Sequence, residues 1–432
     1  MKSGLSFLVA AKRCEIAALQ ALALTSALVN VTGRLVHGLQ RERGLSNLYL
    51  ASHGTQFAPE RHAQMEECQG VEADLRSCFD SLDTESATVG NGARLFSRIA
   101  YVLHGLDALP GLRTQVQSQA WTARQTTEAY VRLIAGLLAV VFEAADSATD
   151  PEISRLLVAR FNFMQGKEFA GQERAAGSAL YASGRAEASE QQRLLHLIES
   201  QERCLQVFTE FSNAELGARW AQSQPSTTLA ELERMRRVLC TATHGAALDA
   251  SQSPVWFACC SQRIDRMKEI EDQLAQGLLR VCETKIAAAQ RDLQAFSTLN
   301  AAASREADAL SFFQETPPAR EPKGLSSNTG APNLAPPLQG FGLQLERSIL
   351  ELVQEQARRL QSMGDELDTV RASLNERKLV ERAKGLLMAH RQLSEEEAHK
   401  TMRQMAMNQN RRLVEVAEAV LAMADVLPER RR

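Results

Sequence analysis

The stretch from Gln40 to Ser52 reads QRERGLSNLYLAS and sets Arg41 and Arg43 one residue apart in an otherwise apolar helical pattern. It has an echo 131 residues later: Glu42-Arg43-x7-Ala51-Ser52 matches Glu173-Arg174-x7-Ala182-Ser183, and each copy places a tyrosine, Tyr49 or Tyr181, six or seven residues after its arginine. A guanidinium is planar, permanently charged and offers forked donors, so two of them facing each other across a helical interface suit one small planar oxyanion. The competing role for each is an ion pair with a Glu or Asp of a neighbouring helix, or a side chain snorkelling to water. Only Arg43 of the first pair repeats, which leaves Arg41 as a solvated or salt-bridged neighbour. The second copy is bordered by Gly166, Ala170, Gly171, Ala175, Ala176 and Gly177. A glycine inside a helix costs about 1 kcal/mol against alanine, so this run implies close backbone approach, either for tight packing or to make room for a small ligand. Internal duplication of a helical unit explains the echo.

The elements that must position these groups are helices. Hydrophobic residues make up 44% of the 432 residues and aromatics only 5%, a balance that favours aliphatic helix packing. Helical periodicity runs from about residue 5 to about residue 300, interrupted at Gly54 to Pro59, Thr88 to Gly92, Asp146 to Pro151, Ser223 to Thr228 and Ala247 to Pro254. These spacings suit long antiparallel helices in stacked bundles. Six of the twelve prolines then fall between Pro317 and Pro337, in a stretch too poor in large apolar residues to fold alone, so residues 301–341 read as a flexible linker. Beyond it Val353, Leu360, Leu367 and Leu374 recur every seven residues, with Ile349, Met363 and Val370 at the companion position and Gln356 its one polar occupant. That pattern predicts a coiled-coil helix over 342–375 and, through it, a homodimer. Three short helices follow, the first continuing to about Met388, the second from the Ser394-Glu395-Glu396-Glu397 capping box to about Met407, and the third over Arg412 to Leu427.

Charge and cysteine content narrow the function class. The net charge of −3 hides an asymmetry, since the part from Leu374 onward carries 12 Lys+Arg against 9 Asp+Glu, a surplus of +3, while everything before it carries 37 against 43. The eight cysteines form no CxxC pair or regular framework, which fits reduced thiols in a cytoplasmic protein. The N-terminus does not read as a signal peptide, and the uncharged run from Ile16 to Gly33 is diluted by Gln20, Thr25, Ser26, Asn30 and Thr32, so a buried helix is expected and no membrane partner. None of the eight histidines sits in HExxH or ExxH, and neither GxSxG nor a phosphate loop occurs, so neither an enzyme nor a cofactor or metal site is expected.

The arginine motif QRERGLSNLYLAS, with GKEFAGQERA and WFACCSQRIDRMKEIEDQL (Trp256 to Leu274), resembles the NIT domain, an all-helical nitrate- and nitrite-sensing module, over roughly residues 5 to 295. The resemblance implies two stacked four-helix bundles within a sensor of residues 1–300, and nitrate or nitrite as effector. It implies anion binding by Arg43 and Arg174, with Arg263 or Arg236 completing the site. The C-terminal motifs ERAKGLLM, SEEEAHKTMRQMAM and LVEVAEAVL resemble the ANTAR domain, whose members bind paired hairpins in leader transcripts and prevent termination. For residues 376–432 this implies an RNA-binding three-helix bundle. Contact falls to Lys384, Gly385, Arg403, Ala406 and Met407, with Asn408 and Arg411 beside them, and Met402 stands where the family has leucine. Sequence-specific RNA reading usually targets loop bases, because the deep groove of an A-form helix is closed to side chains.

Together these readings imply a nitrate- or nitrite-responsive antiterminator that binds a two-hairpin leader RNA, its RNA-binding part released from a docked position when the anion binds. The alternative is an anion-sensing signalling adaptor acting by protein contacts through the coiled coil. A DNA-binding regulator is disfavoured because no helix-turn-helix pattern stands out.

Overall fold

The computed structural model describes residues 4–82, 92–146, 148–223, 226–302, 340–391, 393, 395–409 and 411–424. Among them are twelve helices and no strand, so the chain is all-α. In order they are α1 (Gly4–Ala51), α2 (Ala58–Asp80), α3 (Gly92–Gln117), α4 (Ala123–Asp146), α5 (Pro151–Ser183), α6 (Ala188–Phe211), α7 (Ala214–Ser223), α8 (Ser226–Thr241), α9 (Gln252–Ala302), α10 (Gly340–Arg391), α11 (Glu395–Gln409) and α12 (Leu413–Ala424). The expected break at Thr88 and most of the proline-rich stretch lie outside the described residues.

The chain forms two compact units, one of residues 1–21 with 283–366 and the other of residues 22–282 with 367–432. In the first, Lys12 on α1 pairs with Asp292 on α9 at 3.1 Å, and Arg359 on α10 with Glu15 on α1 at 3.2 Å. The second holds both copies of the arginine motif and the basic C-terminal part. α1 is long and apolar enough to cross a bilayer by length and composition. Its Leu28, Val29, Leu35, Val36 and Leu39 are instead fully buried within the folded chain.

The helix around the second arginine begins where local chemistry says it should. Asp150 caps α5 by accepting from the Ile153 amide, Pro151 occupies the first turn, and Gly184, with φ of 69°, closes the helix in the left-handed region.

The duplication is visible in the pairing of its side chains. Arg113 of α3 grips the Glu42 carboxylate through Nε and Nη2, both at 2.8 Å, and the Tyr130 hydroxyl donates to the same carboxylate at 2.7 Å. Arg236 of α8 grips Glu173 through the same two nitrogens at 2.6 and 2.7 Å, and Gln201 donates to it at 2.6 Å. The two tyrosines of the motif also match: Tyr49 donates to the Gln117 carbonyl on α3, and Tyr181 to the Met235 carbonyl on α8. The glutamate of each ER pair is thus a buried clamp within its own set of helices, which leaves the arginine that follows it facing elsewhere.

Part of the small-residue run on α5 serves packing alone. Gly177 lies under the buried Trp256 of α9, and a Cβ there would sit 2.3 Å from the indole. Gly177→Ala is therefore expected to lower the unfolding free energy by about 2 kcal/mol, the usual cost of overpacking, in a urea titration.

The C-terminal part of α10 joins α11 and α12 around a core of Ala383, Leu387, Ala398, Met402, Ala406, Val416, Ala417 and Val420. The end of the heptad seam does not belong to that core. Val370 and Leu374 are buried among Phe163 of α5, Phe208 of α6 and Met267 of α9. An apolar seam needs a partner surface, and here its C-terminal end finds one in the sensor helices of the same chain.

Candidate functional site

Four residues of α1, Gly33, His37, Gln40 and Gly44, follow a spacing of three and four and so share one face of the helix. That face meets α5. Gln40 donates to Glu168 at 2.8 Å, and Arg43, beside it, holds the same carboxylate in a fork of 2.5 and 3.3 Å. Gln172, one turn further along α5, donates to it at 2.9 Å. Both Arg43 and Glu168 are 3% exposed.

Arg174 reaches back from α5 to the same place. A Cβ on Gly44 would lie 3.4 Å from its Nη2, and a Cβ on Gly171 would lie 2.9 Å from the Nη2 of Arg43. Each guanidinium therefore lies against a glycine of the opposite copy. Arg174 donates to the Ser261 hydroxyl at 2.9 Å and stacks over Phe257 at 4.7 Å, but among the described residues it has no carboxylate within ion-pair distance. Burial, and then the charge of Arg43, push its pKa down. His37 reports the same field: burial and the cations Lys167, Lys268, Arg41 and Arg174 lower its pKa to about 2, so it is neutral, with a buried Nδ1 that has no hydrogen-bond partner among the described residues. Glu168 pairs directly with Arg43, while Arg174 is stabilised by Asp265 and Glu168 only from beyond ion-pair distance.

The other arginines divide. Arg236 is bound through all three guanidinium nitrogens to carboxylates, two to Glu173 and one to Glu233. Arg263 donates to Gln201, lies 4.0 Å from Glu173, and keeps a buried Nε without a partner among the described residues. Arg41 is exposed and pairs loosely with Glu67 at 3.7 Å. Residue-by-residue reading missed Glu168, Gln40 and Gln172, although all three lie inside the quoted motifs. It also missed two buried polar groups lower on α5, the Lys167–Glu271 pair and Arg160 on Asn30.

A second cluster joins the C-terminal helices to α4, α5 and α6. Arg403 of α11 holds both oxygens of Glu199 on α6, each at 2.6 Å. Arg203, also on α6, lies 2.7 Å from the His399 Nε2, and His196 stacks beside that ring at 5.3 Å. On α10, Lys378 pairs with Asp146 at 2.5 Å, and Arg377 donates to Asn162 at 2.8 Å while covering Phe161. The residues assigned to RNA contact fall into three groups. Arg403 is held by Glu199, and Lys384 is buried and paired with Glu381 at 2.8 Å. Ala406 is core, and its carbonyl accepts from the Arg411 amide, fixing the turn into α12. Gly385, Met407, Asn408 and Arg411 are exposed, Met407 by 67%.

Comparison with known proteins assigns families to both regions. A family model described as nitrate and nitrite sensing (NIT) matches residues 34–279, and the ANTAR domain model matches residues 368–421. The nitrate regulatory protein of Klebsiella oxytoca is 31% identical over 414 residues, spanning 96% of this chain and 93% of the relative. Among solved structures, that of the NasR transcription antiterminator is similar with a TM-score of 0.59 and 29% identity, covering 98% of this chain and 99% of that one.

Proposed function

The chain belongs to the nitrate and nitrite sensing (NIT) family and carries an ANTAR domain, and from that membership we propose that it is a nitrate-responsive transcription antitermination regulator whose effector binds between Arg43 and Arg174. The observation that carries this reading is the buried guanidinium of Arg174, without a carboxylate in ion-pair distance among the described residues, beside the Arg43 fork. A buried cation without a counterion is unfavourable until an anion joins it, and a monovalent planar oxyanion neutralises the site and matches both forks. Nitrate titrated calorimetrically into the full chain, at constant ionic strength with chloride as the control, tests it: saturable binding is the expected result.

The output is RNA binding by the C-terminal helices. In the docked arrangement Arg403 is spent on Glu199 and Lys384 is buried, while Met407, Asn408 and Arg411 remain exposed for a flipped-out loop base and its phosphates. α5 links input to output, since it carries Glu168 and Arg174 at one place and Phe161 and Asn162, which hold Arg377, at another. Asn162 and Arg174 are separated along it by about 18 Å at the helical rise of about 1.5 Å per residue. A shift of α5 against α1 on anion binding therefore moves the surface that grips the RNA-binding part, and differential affinity for the two packings drives release. The same reading holds a sensor of two stacked four-helix bundles over 1–300, a proline-rich tether over 301–341, and an RNA-binding domain over 376–432. Its target is a leader RNA with two hairpins, its dimer forms through the 342–375 helix, where Leu360 is exposed, and it works in the cytoplasm without catalysis.

Docking carries a pH dependence of definite sign. Arginine only donates, so His399 must accept at Nε2 and be neutral when docked. Burial, and then Arg203, His196, Lys384 and Arg403, push its pKa down to about 3. A lowered pKa means that docking is at full strength above the free histidine value of about 6.5 and weakens as pH falls below it toward 3. At pH 5.5 the undocked fraction is expected to rise about tenfold over pH 7.5. RNA binding without nitrate should strengthen accordingly, and His399→Asn should flatten the dependence.

A further inference from the structure

The fork assigned to the effector already holds an oxyanion. Glu168 receives both Nη atoms of Arg43 and the side-chain amides of Gln40 and Gln172, four donors on two oxygens, with both charged side chains 3% exposed. A carboxylate and a nitrate present the same thing to a guanidinium, two coplanar oxygens carrying one negative charge. A buried ion pair is weak evidence for stability, because replacing it with apolar groups of equal volume is often neutral or stabilising. Its presence where Arg43 and Arg174 of the two copies come together calls for a different role.

We propose that Glu168 is the resting occupant of the anion site, a tethered carboxylate that nitrate must displace from Arg43. The inference rests on the reading that nitrate binds between Arg43 and Arg174. Ligand exchange here forms and breaks no covalent bond: the Arg43 fork passes from the carboxylate to nitrate, one negative charge replacing another beside Arg174. Glu168 has somewhere to go. It and Gln172 border a cleft of about 1720 Å³ whose lining includes Arg377, Lys378 and Lys384 of the RNA-binding part. A carboxylate leaving Arg43 enters that cleft beside the side chains that hold the dock, two of which pair with Asn162 and Asp146 in the resting state. Glu168 thereby sets the nitrate concentration at which the sensor responds, because the effector must outcompete a group held at high local concentration.

Calorimetric titration of sodium nitrate into the full chain tests this with Glu168→Gln and Gln172→Leu, the latter removing a bond that holds the carboxylate while leaving the charge in place. Glu168→Gln is expected to tighten nitrate binding about tenfold or more, as one charge-assisted fork no longer has to be broken, and Gln172→Leu about threefold. If the native chain binds nitrate and both variants bind it equally or more weakly, Glu168 merely positions Arg43 and the inference is overturned. Binding by Glu168→Gln where the native chain shows none supports the inference, with the carboxylate as too strong a competitor. If neither the native chain nor either variant binds nitrate, the assignment of the anion site itself fails, and the inference with it. Should Glu168→Gln not fold, the direction of change in Gln172→Leu decides.

Discussion

Arg174→Ala weakens nitrate binding about 100-fold, the size of losing a charge-assisted fork, while changing the unfolding free energy by no more than about 1 kcal/mol. Arg43→Ala also destroys binding and lowers stability by about 1.5–3 kcal/mol, because it removes the charge-assisted fork from Glu168. The contrast follows from geometry. Arg43 is the partner of a buried carboxylate, whereas Arg174 rests on a serine hydroxyl and an aromatic ring, contacts that compensate a desolvated charge poorly. Calorimetry with nitrate and urea unfolding of both variants check it. Equal stability losses would mean that Arg174 has a carboxylate partner after all.

The second large effect is on the dock. Leu374→Ala removes a side chain buried among Phe163, Phe208 and Met267, at a cost of about 2–5 kcal/mol that falls on the docked arrangement. Even the lower bound raises the undocked population about 30-fold, so RNA binding without nitrate should approach that of the native chain with it. Met402→Ala provides the contrast. Met402 lies in the separate core shared by α10, α11 and α12, so its truncation should weaken RNA binding with and without nitrate alike. Gel shifts of the leader RNA in both conditions distinguish the two.

Much of this architecture was legible in the chain because it is written in local patterns. The repeat of Glu-Arg with its tyrosine announced a duplication, and the duplicated pairings of Glu42 with Arg113 and Glu173 with Arg236 carry it into three dimensions. The three C-terminal helices fall close to the expected places, α11 running to Gln409 instead of Met407. What stayed hidden depends on which helices adjoin. A buried arginine looks the same whether it meets nitrate or a glutamate, so Arg236 became a candidate for the site although Glu173 holds it. Glu168 stood unnoticed in GKEFAGQERA for the same reason. Heptad spacing declares an apolar seam without saying whose surface fills it, and Val370 and Leu374 find theirs on the sensor helices. A single step along a helix turns a side chain by about 100°, which separates buried Ala406 from exposed Met407.

The most direct test is a titration of nitrate into full-length protein mixed with its leader RNA, with chloride holding ionic strength constant and Arg174→Ala run in parallel. Nitrate should tighten RNA binding by the native chain and leave Arg174→Ala unmoved. RNA affinity that is the same with and without nitrate, or an Arg174→Ala variant that responds like the native chain, would contradict the coupling of this anion site to release of the RNA-binding domain.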